Sequence, residues 1–259
     1  MTGPAVEPDA GSAALAELLL ALADDDFVIG SGDSEWTGIA PILEEDVAMS
    51  SLAQDEIGHA RAYYELLAGL TGDDADRIAF DRQPEAYRHA RLLDHGRGDW
   101  ATAIARRYLY DTADAVRLDA LAESSHRPLA ELVAKIRREE VYHVLHAQTW
   151  LERLATAGGE PRSRLLAALA LLGPDATSVL APLDAEAALR SSGVLPVPSV
   201  ELVAAWIVRI RPTFERLDLP LPPAAIPSPA HARRDHAEAF RWLWGEFTSV
   251  RRLDPAATW

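Results

Sequence analysis

Two pairs of residues with the spacing Glu-x-x-His are the strongest chemical signal in this sequence. Glu140 and His143 form one pair, and Glu56 and His59 form the other. Residues three apart project from one face of an α-helix, so each pair places a carboxylate one turn from an imidazole. Both groups are ligands for first-row transition-metal ions. One pair alone is weak evidence, but two pairs on two long predicted helices favour a shared metal site.

The residues around each pair follow the pattern of a buried helix face. Apolar residues recur at alternating steps of three and four on both sides of the pairs, as in a stripe that faces a protein core. Buried ionisable groups are costly unless they are paired or bind a metal ion. The stripes are Val133, Ile136, Glu140, His143, Ala147, Trp150 and Leu154 on one helix, and Leu52, Glu56, His59, Tyr63 and Leu66 on the other.

Two further predicted helices each have a single aspartate in an apolar stripe. Asp26 lies 30 residues before Glu56, and Asp111 lies 29 residues before Glu140. The chain therefore repeats one unit, a helix with an inward carboxylate followed by a helix with Glu-x-x-His. Ferritin-like di-metal proteins have this arrangement. The predicted metal ligands are Asp26, Glu56, His59, Asp111, Glu140 and His143.

Several neighbouring residues compete for these roles. The aspartate run 24–26 resembles a solvated face or a helix end, and within it only Asp26 continues the stripe, with Asp25 as the alternative. The spacing of the repeated unit favours the six residues above over their neighbours. The neighbours that compete are Asp114 with Asp111, Glu139 with Glu140 and His146 with His143.

Composition narrows the choice of metal. The 259 residues include no cysteine, so disulfides, thiolate zinc sites, iron–sulfur clusters and cysteine nucleophiles are excluded. Four carboxylates and two imidazoles suit two ions that cycle between +2 and +3, and imidazole suits iron better than calcium or magnesium. Zinc is compatible with the same ligand types. We predict two iron ions, with no catalytic side chain beyond the metal ligands.

Net charge narrows the choice of partner. Lys and Arg number 25 against 40 Asp and Glu, a formal net charge of −15. This argues against nucleic acid or an anionic membrane surface as the main partner. The pairs 106–107 and 137–138 are interpreted as surface arginines in salt bridges rather than phosphate ligands. Without a recognisable secretory signal or an uninterrupted apolar run of ~18 residues, we expect a cytoplasmic protein with no membrane span.

The sequence predicts an all-α fold, because helical periodicity recurs and no alternating strand pattern is found. Long helices are predicted at about 13–29, 41–69, 99–123 and from Pro128 to about 158, with a short one at 85–93. Glycines at 30 and 32 are predicted to end the first helix. Residues 1–12 read as a flexible tail and 13–259 as one ferritin-like domain. Its four-helix core spans 13–158, and additional helices follow at about 161–173, 184–191, 199–217 and 231–250.

Three segments carry a resemblance to a known family. These segments resemble the phenylacetic acid catabolic protein family. They are residues 34–41 (SEWTGIAP), residues 54–60 (QDEIGHA) and residues 142–154, which begin with Tyr-His and end with WLERL. The resemblance extends over about residues 15–255 and is greatest to the C subunit of ring 1,2-phenylacetyl-CoA epoxidase. In that family the A subunit binds two irons, whereas the familiar C subunits have lost much of the ligand set. This chain retains the A-type motif, with Asp26 where that motif has Glu.

The resemblance implies a subunit of a multicomponent monooxygenase in aerobic phenylacetate catabolism. The implied partners are a homologous ferritin-like subunit, a separate reductase and an aryl-CoA thioester substrate, in a hetero- or homo-oligomer. A di-iron site in this chain would serve O2 activation. The competing hypotheses are a non-catalytic structural partner with a vestigial site and, ranked lowest, a ferroxidase or iron-handling protein.

Overall fold

Helices are the only regular secondary structure in residues 10–254, the part of the chain that this computed structural model describes. The all-α prediction is therefore confirmed. Residues 1–9 of the predicted tail 1–12 lie outside the described residues. Residues 10–12 are not a tail but part of helix α1, which begins at Ala10, because the helix extends three residues beyond the start that its apolar stripe predicted. The α-helices are α1 Ala10–Ser34, α2 Leu43–Thr71, α3 Ala75–Phe80, α4 Trp100–Leu121, α5 Arg127–Thr156, α6 Gly159–Leu172, α7 Glu186–Ser191, α8 Ser199–Arg216, α9 Pro229–Arg233, α10 Glu238–Phe247 and α11 Ser249–Leu253.

Helices α1, α2, α4 and α5 form a ferritin-like bundle. Helix α1 packs along α2, α4 packs along α5, and α2 meets α5. Helix α1 is tied to α4 by buried side chains, since the Tyr110 hydroxyl donates to Asp26 Oδ1 at 2.7 Å and Arg117 Nη1 donates to Asp25 Oδ2 at 2.6 Å. Asp99 caps α4 by accepting a hydrogen bond from the backbone N–H of Thr102.

The helices beyond Gly159 enclose α1 and α4. Helices α6 and α8 and the 3₁₀ segment Gly173–Leu180 pack on α4, whereas α7 and α10 pack on α1. Trp206 of α8 is fully buried and donates its indole N–H to Thr112 Oγ1 at 2.9 Å. Helices α1 and α4 are therefore buried around most of their circumference, while α2 and α5 keep an outward face.

One stretch of the described residues, Gly159–Leu180, is long and apolar enough to cross a membrane by composition alone. In the fold 56% of its apolar window is buried. Leu165, Leu169 and Leu172 of this stretch belong to the main core. The apolar composition therefore has an explanation in core packing.

The predicted helix break at Gly30–Gly32 is wrong, because α1 continues through both glycines to Ser34. A glycine inside a helix costs only about 1 kcal/mol relative to alanine, which burial of α1 outweighs. Gly30 instead permits close packing. A methyl group there would lie 2.9 Å from Glu56 Cβ and 3.0 Å from the Ala53 carbonyl oxygen on α2.

The predicted short helix at 85–93 is also wrong. Only two 3₁₀ turns form there, Pro84–Ala86 and Arg91–Asp94, and the short helix α3 occurs earlier. The physical reason lies in the intervening backbone. The N–H groups of Arg88 and Ala90 donate to the buried carboxylates of Asp24 and Asp25, each at 2.6 Å, and a helix would redirect these groups.

The replacement Gly30→Ala is expected to destabilise the fold by about 1–3 kcal/mol, since the added methyl group overpacks the contact between α1 and α2. Urea unfolding followed by circular dichroism measures the change. Gly32→Ala is the matched control, because its methyl group would come no closer than 3.8 Å to Leu243 Cδ2. This control should be neutral or stabilising by up to about 1 kcal/mol, and equal destabilisation of both variants would contradict the packing role of Gly30.

Candidate metal centre

Six side chains predicted as metal ligands converge in the interior of the bundle. Helix α1 contributes one aspartate, α4 the second aspartate, and α2 and α5 one Glu-x-x-His pair each. All six are buried, with 5% exposure or less. They lie there because each occupies a core position in the apolar stripe of its helix. The residues are Asp26, Glu56, His59, Asp111, Glu140 and His143.

Five of the six fall into two overlapping groups. Asp26, Glu56 and His59 offer three ligand atoms within 4.8 Å of one another, and Glu56, Glu140 and His143 do the same. Glu56 belongs to both groups, as a bridging carboxylate would. Glu140 also reaches across, since its Oε1 lies 3.3 Å from His59 Nδ1 and 3.2 Å from His143 Nδ1. Both imidazoles therefore turn Nδ1 toward the shared carboxylates.

The outer nitrogens of the two histidines meet carboxylates in a crossed arrangement. His59 Nε2 of α2 lies 2.7 Å from Glu139 Oε2 of α5, and His143 Nε2 of α5 lies 3.3 Å from Asp55 Oδ2 of α2. Such carboxylates orient imidazoles that bind metals and raise their basicity. The sequence contained a signal for this pair, because an acidic residue directly precedes the glutamate in both motifs. Glu139, which competed with Glu140 as a ligand, contacts the outer nitrogen instead.

The aspartate run 24–26 is not a solvated face, so that interpretation is wrong. All three carboxylates are buried, with different partners. Asp24 pairs with Arg82 at 2.9 Å and Asp25 with two arginines, whereas Asp26 alone joins the metal-ligand group. Two more competing residues are also engaged elsewhere: Asp114 pairs with Arg117 at 2.7 Å, and His146 pairs with Glu45 at 2.7 Å.

The crowding of carboxylates makes the centre attract positive charge. Burial and the charge of Glu56 raise the pKa of Asp26 well above its usual range. Burial opposes protonation of His59, yet the nearby carboxylate of Glu140 and the charge of Asp26 raise the pKa of this imidazole to about 10. The pKa of His143 rises to about 11, because hydrogen bonds to Glu140 and Glu56 outweigh burial. Without a bound metal ion, protons on these side chains would therefore supply part of the positive charge that balances the carboxylates.

The chain matches the phenylacetic acid catabolic protein family over residues 1–259. The chain belongs to the phenylacetic acid catabolic protein family. It is similar to the C subunit of 1,2-phenylacetyl-CoA epoxidase from Escherichia coli (strain K12), with 27% identity over 241 residues that cover 93% of this chain and 97% of the relative.

Unpartnered polar atoms test whether these residues suit the metal chemistry of a ferritin-like family. Glu56 Oε2, His59 Nδ1, Glu140 Oε2 and both carboxylate oxygens of Asp111 are buried without a hydrogen-bond partner. Buried polar atoms normally have partners, so a group of such atoms around carboxylates and imidazoles indicates space for a cation. The donor types therefore fit iron or another first-row ion.

Arg107 was not predicted to be in the centre. The interpretation of the 106–107 pair as surface arginines is wrong, because both side chains are buried and Arg107 is fully enclosed. Its Nη1 donates to Glu56 Oε1 at 2.7 Å, its Nη2 lies 3.1 Å from His143 Nδ1, and its Nε lies 3.3 Å from Asp111 Oδ1. Its position four residues before Asp111, on the same helix face, was the available signal. Arg107 thus contacts two members of the second donor group, Glu56 and His143, whose atoms a metal ion at that position would need.

A surface cavity of about 410 Å³ between α4 and α5 reaches Glu140. Its apolar wall comes from Ala115, Leu118, Val141 and Val144. Three arginines line the cavity: Arg137, which pairs with Asp119 at 2.6 Å as a surface arginine should, and the exposed Arg138 and Arg209. The combination of an apolar wall and cationic side chains suits an apolar ligand with an anionic part.

The replacement Asp25→Ala is expected to destabilise the fold by about 3–5 kcal/mol, because it leaves the buried Arg117 and Arg233 without their shared partner. Urea unfolding measures the loss. Asp119→Ala is the matched control, since Asp119 also meets two arginines but is half exposed. Its cost should stay below about 1 kcal/mol. Similar losses in the two variants would show that Asp25 is not a buried structural counter-ion.

Proposed function

We propose that this chain is a C-type subunit of an epoxidase complex that acts on phenylacetyl-CoA or a closely related aryl-CoA thioester. In this proposal it assembles with a homologous ferritin-like subunit that carries the oxidation, and a separate reductase supplies the electrons. The near-complete overlap with the E. coli C subunit supports the assignment, since neither chain has a large segment that the other lacks.

The observation that carries the partner role is an uncovered apolar face on α2 and α5. Leu43 and Val47 of α2 are 74% and 61% exposed, and Val141, Tyr142 and Leu145 of α5 are 60–70% exposed. The hydrogen bond between Glu45 Oε2 and His146 Nε2 places the Val47 end of α2 beside the Leu145 turn of α5. Exposed apolar residues grouped in this way mark protein–protein interaction sites.

The position of this face favours a second helical bundle as the occupant. The helices that follow Gly159 pack chiefly on α1, α4 and the inner side of α5, and leave the outer side of α2 and α5 open. Two long antiparallel helices present a broad surface for two helices of a partner. Exposed aromatic and aliphatic residues, here Tyr142 and Leu145 of α5 with Leu43 and Val47 of α2, are typical of an interface core.

A second candidate role is catalysis in this chain, favoured by the six retained donor residues. In this role Arg107 would have to move away, and two iron ions would then be held by Asp26, Glu56, His59, Asp111, Glu140 and His143. Such a pair supplies O2 activation for insertion of oxygen into an aromatic ring. The chain's own contribution would be to position the ligands. Asp55 and Glu139 hold the imidazole rings, and Tyr110 holds Asp26 by its hydroxyl.

The cavity between α4 and α5 supports contact with the thioester substrate in either role. Its apolar wall would take the aromatic ring, and Arg138 and Arg209 would meet the phosphates of the coenzyme A part. Because Glu140 lies in the wall, a ring bound there would approach the centre. Phosphate recognition by exposed arginines is a common use of this side chain.

The replacement Leu145→Glu is expected to abolish stable assembly with the homologous ferritin-like subunit, because it buries a charge in the apolar interface. Co-purification of the two subunits, followed by epoxide formation from phenylacetyl-CoA with the reductase, measures assembly and activity. Val208→Glu on α8 is the matched control. Val208 is 70% exposed, and it lies far along the sequence from the residues of α2 and α5 that form this face. Retained assembly in the Leu145 variant, or no assembly of the unmodified chain, would refute the partner role.

The replacement Arg138→Ala is expected to weaken binding of phenylacetyl-CoA about 3–30-fold, by loss of one charge-assisted phosphate contact. Isothermal titration of the assembled complex gives the dissociation constant. Arg127→Ala is the control, an exposed arginine of the same helix that pairs with Glu131. An equal or absent effect in the two variants would place the substrate elsewhere.

A further inference from the structure

Arg107 contacts the atoms that a second metal ion would need. A metal ion between Glu56, Asp111 and His143 would bind Glu56 Oε1, an Asp111 oxygen and His143 Nδ1 at about 2 Å. The Arg107 guanidinium already donates to Glu56 Oε1, its Nη2 lies 3.1 Å from His143 Nδ1, and its Nε lies beside Asp111 Oδ1. Two cations cannot share these three ligand atoms at such distances. The guanidinium therefore occupies this position as a permanent cation.

The duplicated halves of the bundle differ at this point. Asp111 has Arg107 four residues before it, on the same face of α4. Asp26, its counterpart on α1, has Leu22 four residues before it, and Leu22 packs in the apolar core. The half of the centre around Asp26 thus has no side-chain cation of its own at the equivalent position. The asymmetry is built into the sequence.

The half around Asp26 remains open to an ion. Asp26, Glu56 and His59 have ligand atoms within 4.8 Å of one another, and Glu140 Oε1 lies 3.3 Å from His59 Nδ1. His59 Nδ1 and Glu56 Oε2 are buried and have no hydrogen-bond partner in the structure. Three carboxylates and one imidazole make a complete donor set for one divalent first-row ion.

We infer that the centre binds a single divalent transition-metal ion at Asp26, Glu56, His59 and Glu140, and that Arg107 replaces the second ion beside Asp111 and His143. The inference concerns the isolated chain, so it does not rest on the proposed partner or substrate. If it holds, the unmodified chain lacks a second metal ion with which the first could share a bridging ligand. Oxidation of the ring would then require another subunit or displacement of Arg107.

Manganese stoichiometry tests this inference. Mn²⁺ is added to the metal-free full chain under argon, and bound metal is measured by equilibrium dialysis and by electron paramagnetic resonance. The unmodified chain should bind one ion with the spectrum of an isolated Mn²⁺. Arg107→Leu, which copies the Leu22 arrangement of the other half, should bind two ions with a spin-coupled spectrum. Asp26→Asn should weaken binding to the unmodified site at least tenfold.

Two further variants keep the test decisive. Arg106→Leu removes a neighbouring buried arginine that pairs with Asp33 at 3.3 Å and contacts no predicted ligand, so it should still bind one ion. Arg107→Lys retains a cation and should also bind one ion. This variant still measures the effect of a cation at position 107 if Arg107→Leu is too unstable to purify. Two ions or none in the unmodified chain, or a single ion in a folded Arg107→Leu chain, would overturn the inference.

Discussion

Many carboxylates are buried inside one helical bundle, and their charge must be neutralised for this protein to fold. Each carboxylate loses its hydration, and the loss is tolerable only where a cation, a proton or several hydrogen bonds replace water. The chain supplies arginines from separate segments. Arg82 meets Asp24, Arg117 and Arg233 meet Asp25, and Arg106 meets Asp33.

These buried pairs explain why the bundle needs its later segments. Arg233 lies on α9, 208 residues from Asp25 in the chain, and also donates to the carbonyl oxygen of Val179. A second group ties down the C-terminal part, since Asp94 lies 2.7 Å from His89 Nε2 and 3.3 Å from His236 Nδ1. A four-helix bundle alone would leave the outer sides of α1 and α4, with their buried charges, in contact with water.

The open face of α2 and α5 lies over the histidines of the centre. Asp55 and Glu139, which hold the outer nitrogens of His143 and His59, are each about half exposed on these two helices. A partner seated on this face would cover both carboxylates and strengthen their electrostatic effect by excluding water. Assembly and the properties of the centre are therefore physically connected, whichever chain of the complex performs the oxidation.

The four long helices and the inward positions of the six predicted ligands could be predicted from sequence alone. Periodicity of 3.6 residues indicates which side of a helix is buried, and two ligand motifs 84 residues apart, from Glu56 to Glu140, indicate the duplication. Both glutamates could therefore be predicted without knowledge of their contacts. The resemblance to the family rested on equally local motifs.

The pairing of the buried charges depends on how distant segments pack together. The sequence does not say that Arg107 turns inward, that Asp24 and Asp25 bind arginines from distant segments, or that Asp55 and Glu139 cross to the opposite helix. Two sequence-based predictions were wrong for the same reason. Gly30 makes a packing contact and does not end a helix, and residues 87–90 are extended and do not form one. A buried ion pair depends on which distant segment brings the opposite charge within about 3 Å, and helical periodicity carries no information about that distance.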